Sequence, residues 1–316
     1  GDGRACLCDW VSGWNTSEPV DKMYQDSWEM PGRNACPITG GYGHKYTQAC
    51  MTQTQIMRDF FIEKVEKLLS RQDPQIGGVY YDLCYVTPVR NPLAGGAFTD
   101  AFGRHIPSRL NTLQLREMLM RTLKICRKYG QRALYHGHGA YNPAVMGTGD
   151  FWYPGEELAS RLAKNPFYYA EQMPSQIFET EFNAHQKGVG VINLPVISRI
   201  YRDRDQDPLP TESMLGMMLL NDVISSATQA NEQAIDKLWG IRVKYRLDEA
   251  KFVRYNQNAD FTSSNPNIVC SYFKLPGGVL MAVLVNRSGD EQTAQVNFGG
   301  TYQTAFDAWQ EKLLML

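Results

Sequence analysis

The chain has 316 residues, 43% of them hydrophobic, with 32 basic and 33 acidic side chains and a formal net charge of −1. That length fills two domains, or one barrel with an appendage. The balanced charge, with no basic block, argues against nucleic acid or an anionic membrane as a partner, and no apolar run reaches the ~18–20 residues of a membrane span.

The chain does not start with Met and shows no signal sequence, so we expect it to be trimmed at its front. Seven cysteines leave at least one free thiol if every disulfide is internal. Cys84 and Cys126 sit in apolar patterns and read as core thiols. Cys36 and Cys50 flank a Gly/Tyr-rich loop that a disulfide would close. The spacing Cys6-Leu7-Cys8 does not suggest zinc. Asn15-Thr16-Ser17 and Asn286-Arg287-Ser288 match the glycosylation sequon.

In chain order, residues 1–50 are loop-rich, with a strand expected over 5–10. Apolar residues at Ile56, Phe60, Phe61, Val65, Leu68 and Leu69 mark an amphipathic helix over 52–70. Gly77-Gly78-Val79-Tyr80-Tyr81-Asp82 then reads as a short buried strand ending in an acid. Thr87-Pro88-Val89-Arg90-Asn91-Pro92 cannot continue it, so Asp82 stands where a strand opens into a long irregular loop. A second amphipathic helix spans 109–129 and closes at Gly130. Residues 132–136 form the next strand, 156–164 a helix, 176–182 and 189–194 strands, and 212–227 and 231–238 helices. This alternation predicts parallel strands joined by helices.

After about residue 250 the texture changes. Residues 267–274, 279–286, 292–298 and 301–308 read as strands joined by Gly-containing turns, which predicts a small antiparallel β domain. We therefore place a barrel domain at 1–250 and a β domain at 251–316. Only about five parallel strands are credible, whereas a closed barrel needs eight, so the barrel is either incomplete or a fragment.

Catalytic groups in such barrels sit at strand ends, and glycosidic cleavage needs two carboxyl groups across the bond. Asp82, with Asp150 or Glu156, supplies that pair. Tyr81, Trp152 and Tyr153 offer surfaces for sugar rings, and His136 and His138 offer hydrogen bonds to hydroxyls. Glu156 is equally a first-turn helix acid, as is Glu157, and Asp150 equally a turn residue. On a strand, Glu179 and Glu181 share a face, which directs Glu179 either to the site or to solvent. His136 and His138, two apart on a strand, are also placed to share a metal.

Several segments together resemble a known group. They are Tyr80-Tyr81-Asp82 with its Pro/Asn/Gly loop, Gly103, an Arg-rich helix, His136, and Asp150 followed by Glu156. Leu238-Trp239, Leu284-Val285-Asn286 and Ala305-Phe306-Asp307 complete the pattern. It looks like the bacterial barrel proteins related to glycoside hydrolase family 123. The resemblance implies a (β/α)8 barrel with a C-terminal β-sandwich and a carbohydrate substrate. That family uses an adjacent Asp-Glu pair and the substrate's acetamido group. Here the Asp-Glu pairs are Asp248-Glu249 and Asp290-Glu291, outside the strand-end segments, so the acetamido mechanism does not carry over. Tyr81-Asp82-Leu83-Cys84 also resembles the nucleophile strand of the retaining α-galactosidase families.

The sequence thus predicts a glycosidase with Asp82 as nucleophile or base and Glu156 or Asp150 as acid. Tyr81, His136, His138, Trp152, Tyr153 and Glu179 would line the sugar site. No cofactor or metal is expected, and a secreted, periplasmic or cell-surface location is. The alternatives are a metal-dependent hydrolase using His136 and His138, and a non-catalytic carbohydrate-binding protein.

Overall fold

A computed structural model describes residues 6–10, 13–15, 23–24, 26–27, 46–48, 54–71, 76–137, 142–183, 188–197, 207–301 and 305–314. The chain forms two compact units. One comprises Gly1–Tyr153 with His185–Gly190, the other Pro154–Ala184 with Val191–Leu316. The architecture is mixed α/β with parallel strands.

The first unit winds in one direction. Strand β1 (Cys6–Trp10), helix α1 (Gln55–Leu69), strand β2 (Gly78–Asp82), helix α2 (Thr112–Lys128) and strand β3 (Arg132–Tyr135) follow in order. After a short helix α3 (Pro143–Met146) comes strand β4 (Phe151–Trp152). The strands pair in parallel in the order β1-β2-β3-β4, with Trp10 opposite Asp82, Tyr81 opposite Tyr135, and Tyr135 opposite Trp152. The close approach of β2 to β3 explains one glycine, because a Cβ on Gly78 would lie 2.3 Å from the Arg132 carbonyl oxygen.

Both helices cover one face of this sheet. The Tyr81 ring meets Phe61 of α1 edge-on at 5.5 Å and stacks on Tyr135 at 5.6 Å. Its hydroxyl lies 3.0 Å from Thr122 Oγ1 of α2, and the Tyr135 hydroxyl donates to the Leu119 carbonyl of α2. The helices are tied to each other by Arg121–Asp59 and Lys128–Glu66, both at 2.6 Å, and by Arg58–Glu117 at 3.0 Å. Strand alternation then dictates the opposite face: Tyr80, Asp82, Leu134, His136, Phe151 and Tyr153.

The expected helices 52–70 and 109–129 are α1 and α2, and Gly130 closes the latter at φ +69. The segment after Asp82 is more ordered than an irregular loop. Pro88–Val89 pairs with Arg109–Leu110, and Phe98–Thr99 with His105–Ile106. Cys84 and Cys126 are buried thiols in no disulfide, as expected, and so is Cys270. Cys36 and Cys50 lie outside the described residues.

In the second unit, strands β5 (Gly190–Asn193) and β6 (Ile224–Ser225) pair in parallel, Asn193 opposite Ser225. Helix α4 (Leu209–Leu220) joins them and helix α5 (Glu232–Lys244) follows. The helix expected over 212–227 instead stops at Leu220, where Asp222 takes φ +52 and the chain turns into β6. Antiparallel strands begin at β7 (Lys251–Val253) and continue through β8 (Ile268–Lys274) and β9 (Leu280–Asn286), ordered β7-β8-β9. Further ladders pair Phe261–Ser263 with Val296–Phe298 and Ala305–Asp307 with Lys312–Leu314.

The strand expected over 176–182 is helical: Ser175–Ile177 is an α-turn and Phe178–Phe182 a wider π-type turn. Phe178 and Phe182 are both buried and lie 5.6 Å apart. A four-residue apolar spacing fits a helical face, and it overrides the two-residue alternation of the acids.

Candidate active site

The C-terminal end of β2 carries a cluster of polar and aromatic side chains. Asp82 is the last residue of the strand, and its side chain retains 21% of its exposure. Its Oδ1 accepts the Leu83 backbone N–H at 2.7 Å. Leu83 itself takes φ +57, a left-handed conformation that costs a β-carbon residue about 1–2 kcal/mol. Such strain persists where surrounding structure enforces it, and it clusters at working sites.

The neighbouring strand supplies His136, one residue past β3 and fully buried. Its backbone extends the ladder: its N–H donates to the Tyr81 carbonyl and its carbonyl accepts from Cys84, each at 2.8 Å. Its Nδ1 lies 3.4 Å from Asp82 Oδ1 and 2.9 Å from the Tyr80 hydroxyl. Tyr153, one residue past β4, stands edge-on to Tyr80 at 6.1 Å and to His136 at 5.9 Å. Its N–H donates to the Tyr135 carbonyl, which continues the ladder by one more residue. Asp82, His136, Tyr80 and Tyr153 therefore form one cluster at the strand ends, on the face away from α1 and α2.

The structure brings together only part of the expected site. Tyr81 and Trp152 are fully buried on the helix-covered face, where Trp152 Nε1 donates to the Met146 carbonyl. Both belong to the core, because residues adjacent to Asp82 and Tyr153 along a strand must point the other way. Asp150 precedes β4 at the opposite end of the strands. Its Oδ2 accepts the Ala133 N–H at 2.9 Å, and Arg127 lies 3.8 Å from its Oδ1. It sits two strands from Asp82 and three residues back along them, roughly 10 Å in each direction, so the two do not face one bond. His138 lies outside the described residues.

Glu156 and Glu179 belong to the second unit. Glu156 opens a 3-10 turn, Glu156–Leu158, and is half-buried. Glu157 reaches back to the Gly155 N–H at 3.1 Å. Gly155 has φ +128, and a Cβ there would lie 2.2 Å from the Leu194 carbonyl oxygen. Glu179 is tied to Arg254 at 3.2 Å, and Arg254 also binds Asn221. These partners give it a structural role in place of the sugar contact expected from a strand.

Sequence reasoning missed Tyr80. Its signal was present, since the residue two before Asp82 on a strand shares its face. In the second unit, Asn193 is fully buried at the end of β5, its Nδ2 3.3 Å from Ser225 Oγ and its Oδ1 accepting from Tyr169 at 3.4 Å. Burial pushes the Tyr169 phenol well above its ordinary range, with the Glu157 charge adding to it. The Cys84 thiol, two residues past Asp82, is likewise raised well above its usual value, first by burial and then by the Asp82 carboxylate. It stays a thiol at neutral pH and is no nucleophile.

Among the described residues no group of three or more His, Cys, Asp or Glu side chains converges as metal ligands, and no helix is long and apolar enough to cross a membrane. No family model and no curated protein matches the chain. Among solved structures, UDP-N-acetylglucosamine 3-dehydrogenase GnnA from Acidithiobacillus ferrooxidans aligns in two crystal forms at 11% identity. The alignments cover 82% of this chain and 73% or 76% of that one, with TM-scores of 0.16 and 0.15. Scores that low carry no argument about fold or activity.

Proposed function

We propose that the chain is a glycoside hydrolase built on a (β/α) barrel with a C-terminal β-sandwich, and that Asp82 is its nucleophile or base. One observation carries the reading: a partly exposed carboxylate at the C-terminal end of a parallel strand, beside a buried imidazole and two tyrosines. Asp82 is held by a backbone N–H and a strained turn, so its position is fixed before substrate arrives. Tyr80 and Tyr153 offer aromatic surface for a sugar ring. Asp150 is withdrawn from the role of acid by its place at the other strand end.

The winding of the first unit permits the barrel. Strand order that advances in one direction with both helices on one face is compatible with a closed (β/α) barrel, which has no reversal, and equally with one half of a doubly wound sheet, which reverses only at its switch point. In such a barrel the face opposite the helices is the interior. The pair β5–β6 continues the alternation along the chain, and the antiparallel strands from Lys251 onward would make the sandwich.

The test is sugar release from a panel of aryl glycosides and polysaccharides by wild type and Asp82→Asn. Release that falls by about 10²–10⁴-fold in the variant, the usual range for loss of an acid–base group, is expected. Equal release by both proteins would remove Asp82 from the mechanism. Absence of release by wild-type protein that still binds a glycan in calorimetry would replace hydrolysis with carbohydrate binding.

A further inference from the structure

We propose that the excursion over residues 87–110 is a substrate arm, whose exposed phenylalanines and arginines take a polysaccharide that carries carboxylates, a polyuronate. The proposal rests on the reading of the chain as acting on carbohydrate, and it names the substrate class of the strand end that carries Asp82.

The arm starts at Thr87, shortly after Asp82, and its backbone is tied along its length. At the root the Thr87 N–H donates to Asn111 Oδ1 at 2.8 Å, and the Asn111 N–H to the Thr87 carbonyl at 3.2 Å. The ladders of Pro88–Val89 with Arg109–Leu110 and of Phe98–Thr99 with His105–Ile106 carry the pairing outward. Between them Gly96 packs so closely that a Cβ there would lie 2.5 Å from the Val89 carbonyl oxygen. Asp100 closes the tip: its Oδ1 accepts the Phe102 and Arg104 N–H groups, each at 2.9 Å. These bonds fix the arm before a ligand arrives, which lowers the ordering cost of binding.

On that frame large apolar side chains stand in water. Phe102 is 83% exposed, Leu93 68% and Phe98 43%. Apolar groups held together at an ordered surface mark an interaction site. Arginines flank the rings: the Arg104 guanidinium lies 5.3 Å from the Phe102 ring centre, and that of Arg109 lies 5.9 Å from the Phe98 ring centre. The negative face of an aromatic ring attracts the C–H edge of a sugar, so each ring beside its arginine offers a stacking surface and a cation together.

Charge selects the partner. Residues 87–110 hold Arg90, Arg104 and Arg109 against a single acid, Asp100, in a chain whose net charge is −1. Asp100 is engaged within the tip, where its Oδ2 also binds Arg104 at 2.7 Å. All three cations are arginines, whose planar fork grips a carboxylate through two parallel bonds where a lysine offers only a point charge. Rings and forks side by side match a polymer that repeats a sugar ring and a carboxylate in each unit. A lipid surface is matched less well. Leu93 and Phe98 stand behind the tip along the arm, and the Asp100–Arg104 pair at the tip would have to leave water to enter lipid.

Affinity electrophoresis of the full chain tests this, in gels cast with polygalacturonate, alginate, dextran sulfate or methyl-esterified polygalacturonate. Wild type should bind one of the two uronates about tenfold or more tighter than the methyl ester, which keeps the rings and removes the charge. Phe102→Ala and Arg109→Gln, both at exposed positions, should each weaken that binding about three- to tenfold, with circular dichroism confirming that both fold. Equal affinity for the acid polymer and its methyl ester overturns the proposal, as does unchanged affinity in either variant. Tighter binding of dextran sulfate than of both uronates also overturns it and moves the site to sulfated polymers. A chain that ignores every polymer overturns it as well, and sedimentation of that chain with phosphatidylglycerol vesicles would make the arm a membrane contact. Retardation needs no turnover. Lost retardation beside intact sugar release removes the arm and leaves Asp82 in its role, whereas retardation without release removes hydrolysis and leaves the arm.

Discussion

Tyr81 and Tyr80 are neighbours in sequence and opposites in structure, and replacing Tyr81 tests that assignment. Tyr81→Phe removes only the hydroxyl 3.0 Å from Thr122 Oγ1. Thr122 keeps its own bond to the Met118 carbonyl at 3.1 Å, so no partner is left stranded. The expected cost is the net value of one neutral hydrogen bond, about 0.5–1.5 kcal/mol. With a urea slope of about 1–3 kcal/mol/M, the midpoint should fall by a few tenths of a molar. Tyr81→Ala also removes the ring that meets Phe61 and Tyr135 at 5.5 and 5.6 Å. Opening that space in a fully buried site should cost about 3–5 kcal/mol. Urea denaturation followed by circular dichroism measures both, beside sugar release normalised to folded protein. A Tyr81→Phe protein with an unchanged midpoint and lost turnover would refute the face assignment and return Tyr81 to the site.

Two further outcomes follow from the same geometry. Asp150→Ala should destabilise the fold by about 1–3 kcal/mol, because it strips the acceptor from the Ala133 N–H at a largely buried position. Turnover per folded molecule should persist, and its loss at unchanged stability would restore Asp150 as the acid. Alkaline pH should weaken the fold. Burial raises the Cys84 thiol and the Tyr135 phenol well above their ordinary values of 9.0 and 10.0, and pushes the Cys270 thiol up to about 12. The unfolded chain therefore releases these protons first. Their contribution is complete below about pH 9 and is lost as pH rises through the folded values, by up to about 1.4 kcal/mol per pH unit for each group. Urea midpoints that stay equal between about pH 8 and pH 10.5 would contradict this.

Much of the chain's local structure was legible from spacing. The apolar rows from Ile56 to Leu69, and from Leu115 to Cys126 ahead of Gly130, repeat at helical intervals and fold as α1 and α2. Val79-Tyr80-Tyr81-Asp82 folds as the strand its β-branched and aromatic content implies, with the acid at its end. The segment from Phe178 to Phe182 shows where local pattern misleads. Its acids alternate, but burial is set by the two phenylalanines four residues apart, and the larger apolar gain decides the conformation.

What the sequence alone determined, then, was the alternation of helix and strand and the candidacy of a carboxylate where a strand opens into a loop. Which face each aromatic takes was decided only by tertiary structure. A strand's alternation divides residues into two sets but does not say which set the helices will cover. Packing of Phe61 and Thr122 against Tyr81 settles that, sending Tyr81, Tyr135 and Trp152 into the core. Tyr80, Asp82, His136 and Tyr153 are left together on the other face. The separation of Asp150 from Asp82 is likewise a matter of register. In parallel strands the two ends lie several residues apart, and no count along the chain distinguishes an acid before a strand from one after it until the pairing partners are known.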